Sequence, residues 1–258
     1  MFTNKRIRII PRLDVKGPNV IKGVHLECLR VMGLPKDLAS HYYETGADEI
    51  IYIDIVASLY QRNNLIDIVK EASKEIFVPM TVGGGLRSLD DMEAVLRAGA
   101  DKVAINTAAI NDPNLITKGA KEYGSQCIVV YIEAKKQPDG NWEAYTDNGR
   151  NETGFNVIDW AKKAEEYGAG EILITSVDKE GTAKGFDIKL IKSIREVVNI
   201  PIIASGGAGS FDHIKDCIVQ CNVDAIATAH LLHYNKLSIP EIKDQLYREG
   251  IKVRINHG

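Results

Sequence analysis

The 258 residues are 45% hydrophobic and 26% charged, which supplies apolar material for one large core. A net charge of −3, with lysines and arginines scattered along the chain, argues against nucleic acid as a partner, which needs a clustered basic face. The four cysteines (Cys28, Cys127, Cys217, Cys221) lack metal or CxxC spacing, no apolar run nears the roughly 18 residues of a membrane helix, and no signal-type apolar stretch opens the chain; the expectation is a reduced, cytoplasmic protein with no metal, cofactor or membrane partner.

Along the chain, Val/Ile-rich runs at 7–15, 49–55, 78–83, 102–106, 127–133, 171–176, 202–205 and 224–227 read as buried parallel strands. Amphipathic segments at 35–45, 65–75, 89–98, 113–123, 157–167, 188–197, 211–220 and 239–249 alternate with them. Such alternation predicts a parallel sheet with outer helices, either open or closed. The GxGxxG fingerprint of an open dinucleotide-binding sheet is absent. An internal repeat favours closure. Gly46-Ala47-Asp48-Glu49-Ile50-Ile51 returns as Gly168-Ala169-Gly170-Glu171-Ile172-Leu173, and 168 − 46 = 122. Pro79-Met80-Thr81-Val82-Gly83-Gly84 returns as Pro201-Ile202-Ile203-Ala204-Ser205-Gly206, again with 201 − 79 = 122. The predicted fold is an α/β (β/α)₈ TIM barrel with a pseudo-twofold half-barrel repeat, spanning 1–258 as one domain.

The first and fifth strands end in carboxylates, Asp14 and Glu133, offset by 119 residues. Chemistry in parallel α/β folds sits at strand C-termini, so these two are predicted to face each other across one site as general acid and base. Three segments after strands read as functional loops: 16–34, 135–154 and 178–186. Within the second, Pro138-Asp139-Gly140-Asn141 before Trp142-Glu143-Ala144-Tyr145-Thr146 predicts a small hairpin lid. Gly83-Gly84-Gly85 and Ser205-Gly206-Gly207-Ala208-Gly209 read as two phosphate cradles, completed by Asn106-Thr107 and Gly181-Thr182. Symmetry-related cradles suggest a small substrate with two anionic ends, and Lys22 is a candidate to hold one. At the opposite face, Arg8, Glu49, Lys102 and Glu171 sit at strand starts and are predicted to form a charged ring about the barrel axis.

These pieces resemble the cyclase subunit of imidazole glycerol phosphate synthase over nearly the whole chain. The carriers are Leu13-Asp14-Val15-Lys16, Thr81-Val82-Gly83-Gly84-Gly85, Gly124-Ser125-Gln126, Gly168-Ala169-Gly170-Glu171-Ile172-Leu173 and Ala204-Ser205-Gly206-Gly207-Ala208-Gly209. The resemblance implies a glutaminase subunit at the N-terminal face and an ammonia gate made of Arg8, Glu49, Lys102 and Glu171. It further implies catalysis by Asp14 and Glu133, with substrate or phosphate bound by Lys22, Gly85, Asn106, Thr107, Thr175, Glu180, Gly181, Ser205, Gly207, His230 and Arg12.

The chain also departs from that pattern. Glu133 replaces an aspartate, moving the carboxylate by order 1 Å, a shift that costs roughly 10²-fold where geometry is critical. Glu180 likewise lengthens an acid. Arg12 occupies an inward position normally small and neutral, where its charge should favour the ionised Asp14 and weaken it as a base. Tyr131 fills another inward position, Val31 and Leu34 replace acids of the first loop, and His230 replaces a small serine. With Pro11-Arg12-Leu13-Asp14, Lys16-Gly17-Pro18-Asn19, Ile132-Glu133-Ala134-Lys135 and Thr146-Asp147-Asn148-Gly149-Arg150, the chain resembles divergent cyclase-like paralogs of surface-polysaccharide loci. That resemblance implies delivery of ammonia, with a sugar amidotransferase as a further partner, to turn an acetamido sugar into an acetamidino sugar. The alternatives are the histidine-pathway cyclase, acting on a bis-phosphorylated ribulosyl intermediate, and a non-catalytic ammonia conduit.

Overall fold

In the computed structural model, residues 5–25, 27–56 and 65–255 are described. The strands are β1 (Arg8–Lys16), β2 (Asn19–Val24), β3 (Glu27–Gly33), β4 (Ile50–Asp54), β5 (Met80–Gly83), β6 (Lys102–Ile105), β7 (Ile128–Lys136), β8 (Trp142–Thr146), β9 (Asn151–Asn156), β10 (Glu171–Ser176), β11 (Ile202–Ser205) and β12 (Ala225–Thr228). Parallel pairing runs β10-β11-β12-β1-β4-β5-β6-β7, and β7 pairs back with β10. The sheet is therefore a closed, eight-stranded parallel barrel, and β1 and β7 lie opposite each other in it. Pro11, with no N–H to give a ladder, stands at the last register position between β1 and β12; from Arg12 onward β1 pairs with β4.

Around the barrel lie α1 (Pro35–Glu44), α2 (Leu65–Ala72), α3 (Leu89–Arg97), α4 (Thr107–Asn111), α5 (Asn114–Tyr123), α6 (Val157–Glu166), α7 (Ile188–Val197), α8 (Phe211–Cys221), α9 (His230–His233) and α10 (Ile239–Arg248). Strand residues of one parity (Leu13, Ile50, Tyr52, Val82, Ile172) meet the helices in the main core. Those of the other parity (Ile10, Ile51, Val129, Leu173, Ile203) fill the barrel. Alternation of side chains along a strand is what sorts them. The short α4 and α9 have no counterpart in the hydrophobic periodicity, because neither is long enough to show one.

The half-barrel repeat reaches into the caps. Ser88 accepts from Asp91 N and Ser210 from His213 N, and 210 − 88 = 122. Asp48, Asp101 and Asp224 each take the free N–H at the start of a neighbouring strand: Ile9, Met80 and Ile202, at 2.8, 2.8 and 2.9 Å. The fourth echo, Gly170, breaks this rule because a Cβ there would collide with the Ser125 carbonyl. Asp48 also anchors Lys243, which is buried and, among the described residues, otherwise bonds the Gly46 carbonyl. Asp48→Ala would leave that ammonium buried without its counter-ion. A loss of roughly 3–5 kcal/mol in urea unfolding is expected, and a loss under about 1 kcal/mol contradicts the assignment.

Two of the three segments read as loops are structured otherwise. Residues 16–34 carry β2 and β3, an antiparallel extension in which Asp14 is registered with Ile21 and Lys16 with Asn19. The buried Lys22 hid this strand from a hydrophobic-run reading. Residues 135–154 carry β8, antiparallel to β7, and the start of β9, and this hairpin covers one side of the mouth.

Candidate functional site at the barrel mouth

At the floor, Arg8, Glu49, Lys102 and Glu171 make a closed ring of alternating charge. Arg8 donates to Glu49 at 2.6 Å and to Glu171, and Lys102 donates to Glu49 at 3.0 Å and Glu171 at 2.9 Å. Glu49 also accepts from Thr81 Oγ1. The carboxylates are buried, whereas the Arg8 and Lys102 side chains keep 27% and 18% of their surface exposed. The anions are thus the fixed half of the ring. Above it the inward side chains are apolar, Ile10, Ile51, Val129 and Leu173 among them.

One level higher a guanidinium crosses the interior. Arg12 Nε donates to Asp14 at 2.8 Å, Nη1 to Thr175 at 2.7 Å and Ser205 at 3.2 Å, and Nη2 to the Tyr131 hydroxyl at 3.0 Å. Burial opposes its charge, but Asp14, Tyr131 and Glu180 outweigh burial and hold Arg12 protonated well above the ordinary arginine range. The parity that put Arg12 beside Asp14 was legible in the sequence; its reach to β7, β10 and β11 was not.

The mouth divides into two unequal halves. Under the hairpin lies a cavity of about 440 Å³, lined by Gly84, Gly85, Asn106, Thr107, Tyr131 and Glu133 together with Asp54, Arg87, Asp112, Asp147 and Asn148. Gly84 is glycine of necessity, since φ is 98° and a Cβ would strike the Asp54 backbone. The other half holds Arg12, Lys22, Glu180, Gly181, Ser205, Gly207, Thr228 and His230 around a residual space of only about 10 Å³. Lys22 and Glu180, both buried, are ion-paired there. Asp14 and Glu133 therefore do not flank one open pocket. Glu133 lines the large cavity, while Asp14 is outside that lining and bound by Arg12.

Glu133 is the group placed for proton transfer. It accepts from Asn106 Nδ2 at 3.1 Å and from the Gly149 N–H of the lid at 2.9 Å. Burial lifts its carboxyl to about 7, with Gly149, Tyr131 and Arg12 pulling the other way. A carboxyl with that value exchanges protons near neutrality. His233, lowered to about 4 by burial, is a neutral ring in contact with Tyr42 at 2.7 Å. Among the described residues, no group of three or more His, Cys, Asp and Glu is placed to hold a metal ion. No helix among them is long and apolar enough to cross a membrane.

The family of histidine biosynthesis proteins matches residues 8–238 of the chain. The chain is 60% identical over 209 residues to the imidazole glycerol phosphate synthase subunit HisF of Legionella pneumophila, covering 81% of this chain and 99% of that protein. It is 46% identical over 247 residues to the same-named subunit of Alkaliphilus metalliredigens (strain QYMF), covering 96% and 98%. The chain belongs to the HisF family.

In this HisF-family chain the rule that found Asp14 and Glu133 also points to Asp54, a carboxylate closing the apolar run Ile50-Ile51-Tyr52-Ile53, which sequence reasoning passed over. Gly149 was beyond such reasoning, because its contribution is a backbone N–H delivered by the lid.

The raised Glu133 value carries a stability signature. A folded-state value above the ordinary carboxyl range means the folded protein binds the proton more tightly. Stability is then greatest below the unfolded value and is lost as pH rises through about 7. Glu133→Gln, which cannot ionise, is expected to gain on the order of 2–3 kcal/mol over wild type between about pH 5 and about pH 8. Urea midpoints at the two pH values measure it, and parallel pH dependence of both proteins contradicts it.

Proposed function

We propose that the chain is the ammonia-accepting synthase subunit of a glutaminase-dependent complex. The observation that carries this reading is the closed Arg8–Glu49–Lys102–Glu171 ring, set under an apolar interior at the opposite end of the barrel from the cavity that Glu133 lines. Neutral ammonia crosses an apolar bore at little cost, whereas ammonium does not. A ring whose cations are partly exposed opens at the floor when a partner engages them. The same end offers a surface for that partner. Phe77 and Tyr247 are exposed there, Tyr43 packs on Phe77, and a cavity of about 430 Å³ lies among Arg6, Tyr247 and Ile251. A glutaminase subunit is the partner that supplies ammonia at this face.

Two substrates compete for the mouth. The names of the HisF relatives support the histidine-pathway reaction. There ammonia adds to a bis-phosphorylated ribulosyl intermediate, ring closure gives imidazole glycerol phosphate and an aminoimidazole carboxamide ribotide leaves, with Glu133 exchanging the protons. The filled half of the mouth favours a second reading, in which the guest is an acetamido sugar converted to its acetamidino form with a sugar amidotransferase. Purified protein given ammonium and the bis-phosphorylated intermediate separates them. Formation of imidazole glycerol phosphate at a rate matching an authentic cyclase selects the first. No product from a protein that still binds and stimulates its glutaminase excludes the first.

A further inference from the structure

Asp14 and Glu133 stand on strands that face each other across the barrel, and two buried side chains connect them. Strand alternation puts Arg12 two residues before Asp14 on β1, and Tyr131 two residues before Glu133 on β7, all on the inner face. Arg12 Nε donates to Asp14 at 2.8 Å, and Nη2 donates to the Tyr131 hydroxyl at 3.0 Å. Nη1 is held by Thr175 and Ser205 at 2.7 and 3.2 Å, which fixes the plane of the guanidinium. With its oxygen accepting from Arg12, Tyr131 has its own proton left for Glu133, and its hydroxyl hydrogen-bonds that carboxylate. Burial pushes the Tyr131 hydroxyl well above its ordinary range, so it stays neutral and keeps that proton. Hydrogen bonds in such a chain polarise one another. The chain Asp14–Arg12–Tyr131–Glu133 ends in the 440 Å³ cavity, which both Tyr131 and Glu133 line.

We infer that Arg12 and Tyr131 are positioning residues that couple Asp14 to Glu133 through this chain, so that a proton gained by one carboxylate favours release of a proton by the other. When Asp14 takes up a proton, Arg12 loses its counter-charge, its pull on the Tyr131 hydroxyl rises, and the ionised Glu133 is favoured. When Asp14 gives that proton up, the pull is balanced again and Glu133 holds its own proton more tightly. One proton enters as one leaves, and an acid and a base are loaded in alternation. Other titratable groups face Glu133. Tyr145 is registered opposite it on β8 but donates its hydroxyl to Glu152 at 3.1 Å, and Lys135, two residues further along β7, stands over the Tyr145 ring. Asp54, Arg87, Asp112 and Asp147 share the cavity lining. Their fields act on Glu133 whatever the state of Asp14, whereas the Arg12–Tyr131 chain changes with it. Arg12 and Tyr131, two departures seen separately in the sequence, are thus one device. The inference rests on Glu133 as the proton-exchanging group, and is independent of the route ammonia takes, which nitrogen transfer from glutamine tests separately.

The test is an NMR titration of the full chain, with glutamate ¹³C-labelled at the side-chain carboxyl and neither partner nor substrate present. The Glu133 signal is the one missing from Glu133→Gln, and its midpoint in the wild type is expected at about 7. Tyr131→Phe, which removes one hydroxyl, should raise that midpoint by on the order of half a pH unit or more. Asp14→Asn, which mimics the protonated carboxyl, should lower it by a similar amount. In the double variant the Asp14→Asn effect should shrink to about half or less, because the chain that carries it is cut. Arg12→Lys keeps a charge beside Asp14 but gives up the fork that reaches Tyr131, so it should raise the midpoint as Tyr131→Phe does. It stands in for Asp14→Asn if that variant fails to fold. The coupling is overturned by a midpoint unmoved in folded Tyr131→Phe or Arg12→Lys. It is equally overturned by a midpoint that Asp14→Asn leaves in place or raises, or by an Asp14→Asn effect as large without Tyr131 as with it. A wild-type midpoint in the ordinary carboxyl range, about 4.3, overturns the proton-exchange reading of Glu133 and the coupling with it.

Discussion

Ammonia-dependent turnover of the Glu133→Gln protein is expected to fall by roughly 10²–10⁴-fold, the range for removing a positioned acid–base group. The side chain keeps its shape, and the amide oxygen can still accept from Asn106 and Gly149, so positioning is spared and proton exchange is lost. Activity of the wild type should rise or fall through a group titrating at about 7, and that feature should vanish from the residual activity of the variant. Glu133→Asp keeps the carboxylate but withdraws it from both donors, and should fall between the two. Undiminished turnover in Glu133→Gln would move the chemistry to another carboxylate of the same cavity, such as the strand-end Asp54, or to a third protein for which this barrel is a conduit.

The second large effect belongs to the floor. Glu49 is bound by Arg8, Lys102 and Thr81 at once, so Glu49→Gln leaves two cations facing Glu171 alone. Removing one partner from a buried ion cluster costs roughly 3–5 kcal/mol, visible as a lower urea midpoint. The functional readout is separate. With a glutaminase bound, glutamine-driven turnover should drop at least tenfold, because the proposed gate loses one of its two anions. Turnover on saturating ammonium, which enters from the mouth, should stay within about threefold. Equal loss of both activities would make the ring a structural brace and nothing more.

The architecture was legible because a barrel of this kind repeats. The 122-residue offset tied Gly46–Ile51 to Gly168–Leu173, strand parity put Arg8, Arg12 and Asp14 on the inner face, and the C-terminal ends of strands gave Glu133. What escaped was tertiary. The second strand of the mouth extension contains Lys22, which looks solvated until Glu180, 158 residues away, is placed against it. Two glycine turns read as two phosphate cradles, and nothing local reveals that Glu180 reaches into one of them. Arg12 was recognisable as a cation on the wrong side of a strand. That it spans the barrel to Tyr131, Thr175 and Ser205 depends on strands up to 193 residues distant. Val31 and Leu34, where acids were expected in the first loop of a cyclase, are exposed at the mouth, and nothing in the structure explains them.

Transfer of ¹⁵N from the glutamine amide, in a complex of this barrel with its glutaminase and with excess unlabelled ammonium in solution, tests the central claim most directly. A passage through the Arg8–Glu49–Lys102–Glu171 ring and between the apolar side chains of the barrel interior predicts that the aminated product keeps nearly all of the glutamine label. Product whose label is diluted to the level of the bulk ammonium would mean that the nitrogen travels through solvent, and that the ring guards no path.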